Sequence, residues 1–213
     1  EPTVTPDMKK RIDVIDGQLT RVVRIIQDLL SSTRQRKPDP TWLPVDRVVS
    51  PVAALMEPAF QAKGVQLRVE LDETVPLVWA DAEKLHQVLV NLLANAIAAT
   101  SEGGTVTIRA GSRPAEPEEI EVGQRVGNAT FTMMVTIAVS DTGSGMPEED
   151  LQKAFTPFFT TKAIGKGTGL GLFISRETVQ AHGGTLTLDS QVGKGTTVVI
   201  SLPGQRAAAT TAV

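Results

Sequence analysis

Glycine occupies every second position of one short stretch, and this spacing restricts the local backbone more than any other feature of the chain. The stretch is GKGTGLGL, residues 165–172, and an apolar, helix-like segment follows it directly. Glycines crowded before a helix allow a backbone to approach a ligand closely, and that ligand is often a phosphate. The spacing therefore predicts a loop that leads into the start of a helix and contacts a phosphate.

Two common phosphate-binding loops do not fit this stretch. A P-loop, G-x-x-x-x-G-K-[ST], would need glycine where Thr160 stands and Ser or Thr where Gly167 follows the lysine. The dinucleotide fingerprint G-x-G-x-x-G would need a glycine at position 170 or 172, and both are leucine. No strand-like segment precedes the loop either, so the function of the loop has to be inferred together with the rest of the chain.

Composition excludes several classes of function. The net charge is −3, whereas a nucleic-acid-coating surface needs an excess of Lys and Arg, so we expect no nucleic-acid partner. The chain has no cysteine, which excludes disulfides and thiolate metal sites. No apolar run approaches the roughly 18–20 residues that cross a bilayer. The chain does not begin with Met, and we expect it to be part of a longer protein.

The first forty residues have the pattern of a helix followed by a linker. Their apolar side chains alternate in steps of four and three: Met8, Ile12, Ile15, Leu19, Val22, Ile26 and Leu29. This is the heptad signature of a seam between helices. The pattern fits an amphipathic helix packed on its own domain, or one helix of a coiled-coil-like bundle. The basic, proline-broken stretch RQRKPDPTWLP that follows favours the bundle.

Beyond this linker, strand and helix patterns alternate. Segments resembling strands are VQLRVEL, VPLVWA, GTVTIRAG, FTMMVTIAVS, TLTLDS and GTTVVISLP; segments resembling helices lie at 48–63, 82–100, 147–155 and 170–182. The polar stretch 112–130 is predicted to be a surface loop, and the last ten residues a disordered tail. The order favours an α+β two-layer sandwich with a mixed sheet packed on three helices.

The helix that Asp81 is predicted to cap is apolar nearly all round, except for one polar stripe. The stripe contains Gln87, Asn91 and Asn95. Buried amides need partners, so these asparagines either bond to neighbouring backbone or face a polar ligand. Amide oxygens suit a hard cation such as Mg²⁺. On the second interpretation, Asn91 holds the metal and Asn95 contacts phosphate.

Two further motifs are weak when each is considered alone. DTGSGM, residues 141–146, places a carboxylate after a strand and beside two glycines, which suits recognition of the adenine amine but also an ordinary turn. FTPFFTTK, residues 155–162, offers hydroxyls and one ammonium for phosphate, or is simply a packed loop.

The order of these motifs is more specific than any one of them. NLLANA, DTGSGM, FTPFFTTK and GTGLGL resemble, in order, the N, G1, F and G2 boxes of the histidine kinase catalytic domain, an ATP-binding fold shared with gyrase B, MutL and the heat-shock chaperone ATPases. The resemblance covers residues 45–203. The heptad helix resembles the second helix of the dimerisation and phosphotransfer hairpin, and PFFTTK is most similar to nitrogen-regulation-type sensor kinases.

This resemblance implies ATP and Mg²⁺ as ligands and assigns roles to particular residues. Asp141 would bind adenine beside Gly143 and Gly145, and the Thr196 hydroxyl would support that contact. Asn91 would bind Mg²⁺ and take part in catalysis, and Asn95 would lie on the phosphate side. Lys162, also assigned to catalysis, and Lys166 would neutralise phosphates. The phosphates would also contact the loop and helix start formed by Gly167, Thr168, Gly169, Leu170, Gly171 and Leu172.

The resemblance also distinguishes a kinase from an ATPase. ATPases of this superfamily place a Glu that activates water one turn before the key Asn, and this chain has Asn91 there. We therefore expect this chain to hydrolyse ATP poorly and to serve phosphoryl transfer to a nucleophile instead. Neither His86 nor His182 is preceded by the acid that marks an acceptor histidine. The acceptor helix is thus expected outside this chain, which alone would not autophosphorylate.

The expected organisation has four parts: a partial dimerisation helix at 1–38, a linker at 39–44, the ATP-binding catalytic domain at 45–203 and a disordered tail at 204–213. The expected partners are a response-regulator receiver domain and a second copy of the protein through the N-terminal helix. A cytoplasmic location is expected, with membrane attachment only through upstream segments. Two alternatives stay open: an anti-sigma-type serine kinase, and a non-catalytic module that switches a dimer on ATP binding.

Overall fold

A computed structural model describes residues 8, 39–72, 74–126, 131–162 and 167–205. The elements, in chain order, are β1 Thr41–Leu43, α1 Asp46–Lys63, β2 Gln66–Leu71, β3 Leu77–Ala80, α2 Ala82–Ala99, β4 Thr105–Pro114, α3 Pro117–Val126, β5 Met133–Asp141, α4 Glu148–Lys153, α5 Gly171–Ala181, β6 Thr185–Gln191 and β7 Gly195–Gln205. Apart from residue 8, the predicted heptad helix lies outside the described residues.

Seven strands form one mixed sheet: six follow the order β1-β3-β7-β5-β4-β2, and β6 pairs with β7 beside this path. The pair β2–β4 is parallel, and the other pairs are antiparallel. The long β7 strand pairs with β5 along one edge and, along its other edge, with β6 at 195–201 and with β3 at 204–205, so it connects β1 and β3 to the rest of the sheet. This arrangement confirms the predicted α+β two-layer sandwich with a mixed sheet.

The core lies between one face of the sheet and the helices α1, α2 and α5. Alternate residues of β5 (Val135, Ile137 and Val139) are at most 2% exposed because they face these helices. The central helix α2 contributes Leu85, Leu89 and other buried side chains to the same core. A helix buried this deeply can carry a polar side chain only along the stripe that leaves the core.

Both ends of α2 are fixed by side chains. At the N-terminus, the Asp81 carboxylate accepts hydrogen bonds from the backbone N–H groups of Glu83 (3.1 Å) and Lys84 (3.3 Å), which confirms the predicted cap. At the C-terminus, Lys63 donates to the carbonyls of Ile97 and Ala98, where an ammonium also complements the helix dipole. The polar stripe of α2 is therefore held in a defined position.

Three local predictions are wrong. Residues 41–43, predicted to belong to the linker, form β1, which pairs with β3 and places Trp42 opposite Trp79. The predicted loop at 112–130 contains the end of β4 and the helix α3 instead. An ion pair of 2.6 Å between Arg113 and Glu119 joins that helix to β4. The tail was predicted from residue 204, but residues 204–205 belong to β7, and 206–213 lie outside the described residues.

Candidate functional site

A cavity of about 510 Å³ opens between α2, α5 and the loop that joins α4 to α5. Eight of the predicted site residues line it: Asn91, Asn95, Lys162, Gly167, Thr168, Gly169, Gly171 and Leu172. The cavity is also lined by Met146 of DTGSGM, so residues of all four motifs meet around one space. Lys166 lies outside the described residues.

The Asn91 side chain is oriented by a neighbour on α5. Its Nδ2 donates a hydrogen bond of 2.9 Å to the Oγ of Ser175, a residue that is 2% exposed. Its Oδ1 lies beside the first residue of α5, since a Cβ built on Gly171 would come within 2.2 Å of that oxygen. Glycine at 171 thus allows α5 to begin directly against the Asn91 amide.

Asn95 lies one turn further along α2 and contacts the lysine of FTPFFTTK. The Lys162 Nζ donates a hydrogen bond of 2.6 Å to Asn95 Oδ1. Partial burial of this ammonium lowers the pKa of Lys162 below its usual value of 10.5. A cation held at the cavity wall attracts an anion, and desolvation strengthens that attraction.

The start of α5 also presents donors to the cavity. Among the described residues, none accepts a hydrogen bond from the backbone N–H groups of Gly171, Leu172 and Phe173, and the first helical bond runs from Ile174 to Leu170. Unpaired N–H groups at a helix N-terminus bind anions. The turn before them needs glycine at 169, where φ is +72° and a Cβ would lie 2.4 Å from the Phe158 carbonyl carbon.

Asp141 and its neighbours form a cluster beside the cavity, which Met146 of the same motif lines. The residues described as lining the cavity do not include Asp141, Gly143, Gly145, Leu170 or Thr196. Within the cluster, Gly143 N–H donates to the Asp141 carboxylate at 2.8 Å. A Cβ on Gly143 would lie 2.6 Å from the carbonyl oxygen of Ala99, so glycine lets this turn pack on the end of α2.

Burial raises the pKa of the Asp141 carboxyl above its usual value of 3.8, and backbone hydrogen bonds from Gly143 and Thr196 partly oppose that rise. The structure therefore brings the backbone of Thr196 to Asp141. The Thr196 hydroxyl, predicted to support a ligand contact, lies 2.8 Å from the Ser190 hydroxyl.

Two residues of these networks, Ser175 and Ser190, are absent from the sequence-predicted site. The Ser190 hydroxyl links the cluster together, because it accepts from Met146 N–H at 2.9 Å and donates to the Gly195 carbonyl at 3.1 Å. Ser175 carries the signal that identified the asparagines, namely a polar side chain on a helix face that is otherwise apolar. That criterion could have found it.

Both histidines have structural partners. His182 is 1% exposed; its Nδ1 lies 2.7 Å from the Thr178 carbonyl, and its Nε2 accepts from Asp81 N–H at 3.1 Å. Burial lowers its pKa below 6.5, so the ring is neutral. His86 is half-buried, with Nε2 at 3.1 Å from the Arg47 carbonyl oxygen. Neither residue lines the cavity.

The cavity suits Mg²⁺ only as part of a nucleotide complex. Within the described ranges, no cluster of three or more His, Cys, Asp or Glu side chains could hold a metal. Asn91 Nδ2 donates to Ser175, whereas Asn91 Oδ1 has no hydrogen-bond donor in the described part of the chain. One amide oxygen fits a magnesium ion that takes its other ligands from phosphates and water.

Comparison with known proteins identifies the family. Residues 80–206 match the model of the "Histidine kinase-, DNA gyrase B-, and HSP90-like ATPase" family. The chain belongs to this family. The matched region contains every site residue described above, so the cavity and the Asp141 cluster are parts of an ATP-binding domain.

Two relatives of the chain are a sensor kinase and a sensor histidine kinase, which confirms the resemblance to sensor histidine kinases. The chain is 36% identical over 189 residues to the sensor kinase CckA of Brucella abortus, covering 89% of this chain and 20% of CckA. It is 32% identical to the sensor histidine kinase ZraS of Escherichia coli K12, covering 89% of this chain and 37% of ZraS. The chain thus spans between a fifth and two fifths of the length of these relatives.

Solved structures agree with the fold. The catalytic domain of the histidine kinase ThkA has a TM-score of 0.62 and 30% identity, covering 78% of this chain and 96% of that domain. The complex of ThkA with the response regulator TrrA has a TM-score of 0.68 and 26% identity, covering 96% of this chain and 53% of the ThkA chain. No helix in the described ranges is long and apolar enough to span a membrane.

Proposed function

We propose that this chain binds Mg-ATP and supplies the catalytic domain of a sensor histidine kinase, which transfers the γ-phosphoryl group to a histidine on a dimerisation helix. The phosphoryl group then passes to an aspartate of a response-regulator receiver domain, a partner of the kind that ThkA binds. The anti-sigma-type serine kinase and the ATP-switched dimer are not favoured, because the relatives are sensor kinases.

The chemistry of the cavity lining carries this proposal. Among its described residues there is no Asp, Glu or His, the side chains that most often act as the base that activates water. The polar groups that are present bind and neutralise anions: three side-chain amides, one ammonium, several hydroxyls and the start of a helix. A site of this composition favours transfer to an external nucleophile over hydrolysis.

Each part of the site has a role in the proposal. Asn91 Oδ1 binds Mg²⁺, which would neutralise the β- and γ-phosphates. Lys162 and Asn95 act on the phosphate side, with Lys166 as a second cation. The N–H groups at 171–173 bind phosphate oxygens. Asp141 binds the adenine amine, with Gly143, Gly145 and Thr196 around it.

The transfer itself needs no base from this chain. The lone pair of an imidazole nitrogen forms the bond to the γ-phosphorus while the bond from that phosphorus to the bridging oxygen breaks and ADP leaves. The acceptor histidine has to come from outside the cavity, because no histidine is among its described lining residues. His182 is committed to two hydrogen bonds, and His86 lies away from the cavity lining.

The organisation of the whole protein follows as part of the same proposal. Residues 1–38 would supply one dimerisation helix to a cytoplasmic homodimer, and the catalytic domain would extend from β1 to β7. Its start at residue 41 rather than 45 rests on the pairing of β1 with β3.

Binding and transfer can be measured separately. A fluorescent ATP analogue titrated with and without Mg²⁺ reports binding; Trp42 and Trp79 are poor reporters because neither lines the cavity. Incubation with [γ-³²P]ATP and a histidine-bearing dimerisation hairpin should yield acid-labile, base-stable label on the hairpin. Fast hydrolysis that Asn91→Ala abolishes, or no phosphohistidine despite tight binding, would contradict the proposal.

A further inference from the structure

The helices α2 and α5 run antiparallel along the cavity, and two contacts fix their alignment. Asn91 Nδ2 donates to a hydroxyl of α5 at 2.9 Å. Just beyond the other end of α5, His182 Nε2 accepts from the N–H of Asp81, the residue that caps α2, at 3.1 Å. Gln87 of α2 and Thr178 of α5 stand between these two contacts, and both line the cavity. The cavity therefore continues past Asn91 toward the N-terminus of α2.

The Asp141 cluster lies at the opposite end of α2. There the carbonyl of Ala99, the last residue of the helix, accepts a hydrogen bond of 3.2 Å from the turn of DTGSGM. In the proposed function the adenine binds at this end, and the phosphates lie along Asn95 and Asn91. Gln87 stands one further turn, about 6 Å, along the same face of the helix. The γ-phosphate of bound ATP would thus point toward Gln87.

We infer that Gln87 contacts the acceptor histidine and orients the incoming imidazole at the γ-phosphate. The inference rests on the proposed function. In phosphoryl transfer the attacking and leaving atoms lie roughly in line through the phosphorus, so the acceptor has to approach from the side opposite ADP. The alignment of α2 with α5 and with the Asp141 cluster puts Gln87 on that side.

The Gln87 side chain suits a neutral ring that arrives from outside. It is exposed, and no residue in the described ranges forms a hydrogen bond with it. Its amide is therefore free to turn its oxygen toward a partner. A neutral imidazole carries one N–H donor and one nitrogen lone pair. An amide oxygen that accepts from the N–H leaves the lone pair of the other nitrogen available to attack the phosphorus.

The test measures binding and transfer separately, on the whole chain and two variants. Gln87→Met keeps the length of the side chain and removes the amide. Gln180→Met is the matched control, because Gln180 is an exposed glutamine of α5 outside the described cavity lining. The initial rate at which the histidine-bearing hairpin is labelled should fall about three- to tenfold in Gln87→Met, the effect of one lost hydrogen bond. The affinity of that variant for the ATP analogue, and both quantities in Gln180→Met, should be nearly unchanged.

The lack of cysteine in the chain permits a second measurement that requires no phosphoryl transfer. Gln87→Cys is mixed, in the presence of Mg-ADP, with a hairpin in which the acceptor histidine is replaced by the only cysteine of that hairpin. Because contact raises the effective concentration of one thiol at the other, the disulfide should form at least about tenfold faster than with Gln180→Cys.

The outcomes separate this inference from the proposed function. If the unmodified chain labels the hairpin and Gln87→Met labels it equally fast, the inference is overturned and the proposed function stands. Equal rates of disulfide formation in Gln87→Cys and Gln180→Cys would have the same consequence. So would equal losses of analogue affinity and transfer rate in Gln87→Met, because Gln87 would then act on the nucleotide. If the unmodified chain binds the analogue but labels no hairpin, the proposed function fails and the inference fails with it.

Discussion

Replacing Gly171 with alanine should lower the affinity of this chain for Mg-ATP while leaving its stability nearly unchanged. A Cβ at 171 would lie 2.2 Å from Asn91 Oδ1, 2.8 Å from its Cγ and 2.9 Å from its Nδ2. To restore ordinary contact at 3.4 Å, the amide oxygen must move by about 1.2 Å. A movement of that size disrupts the 2.9 Å hydrogen bond to Ser175.

The effects on the free energy of unfolding nearly cancel. The lost hydrogen bond costs about 0.5–1.5 kcal/mol. Glycine-to-alanine replacement at a helical position returns about 0.4–1 kcal/mol through the unfolded chain, and Gly171 does not have a positive φ. The net change should stay within about 1 kcal/mol. Displacing the proposed metal ligand by about 1 Å should nevertheless cost about tenfold in Mg-ATP affinity and about 100-fold in transfer rate.

Thermal unfolding and titration of an ATP analogue, done on the same samples, measure the two quantities. Gly169→Ala should behave in the opposite way, losing stability, because φ is +72° and the new Cβ would meet the backbone of Phe158 at 2.4 Å. Gly193→Ala controls for backbone strain alone, since φ is +76° but nothing lies within 4 Å of the new Cβ. A Gly171→Ala protein with unchanged affinity would refute the reasoning that this glycine exists for the approach to Asn91.

The remaining predictions concern the two groups whose pKa values are lowered by burial. Lys162→Met should reduce ATP affinity about tenfold. ATP affinity should also fall at alkaline pH in the unmodified chain, but not in this variant. Lys194→Met, at an exposed turn, controls for the change in net charge. Because the folded pKa of His182 lies below its unfolded value of 6.5, the unfolded chain binds more protons below pH 6.5. As the pH is lowered below 6.5, the free energy of unfolding should therefore decrease by up to about 1.4 kcal/mol per pH unit. His182→Gln should lose this contribution, and His86→Gln should retain it.

Much of the site could be predicted because its residues break local patterns. Asn91 and Asn95 stand on a helix that is otherwise apolar, and the glycines at 169 and 171 are too closely spaced for an ordinary helix start. The structure brings both pairs to one cavity. The Asp141 cluster was found by the same logic, although the structure places it beside the cavity rather than in its lining.

The errors have different origins. The strand at 41–43 is only three residues long, and its sequence, TWL, has no alternation to detect; it exists because β3 offers a partner and Trp42 packs with Trp79 at a ring distance of 5.2 Å. The helix α3 did carry a local signal, since Pro117 begins it and two glutamates follow. Its polar composition concealed that signal.

The glycine-rich stretch shows what each level of description decides. The sequence alone determines that the backbone before α5 must be unusually free and that the α2 stripe must find polar partners, because both conditions follow from backbone sterics and the cost of burying amides. Only the tertiary structure decides that the two conditions meet. Gly171 and Asn91 are eighty residues apart in the chain, and their contact depends on how α5 packs against α2. That packing also brings Ser175 to Asn91, and no spacing within either segment encodes the angle and depth at which two helices meet.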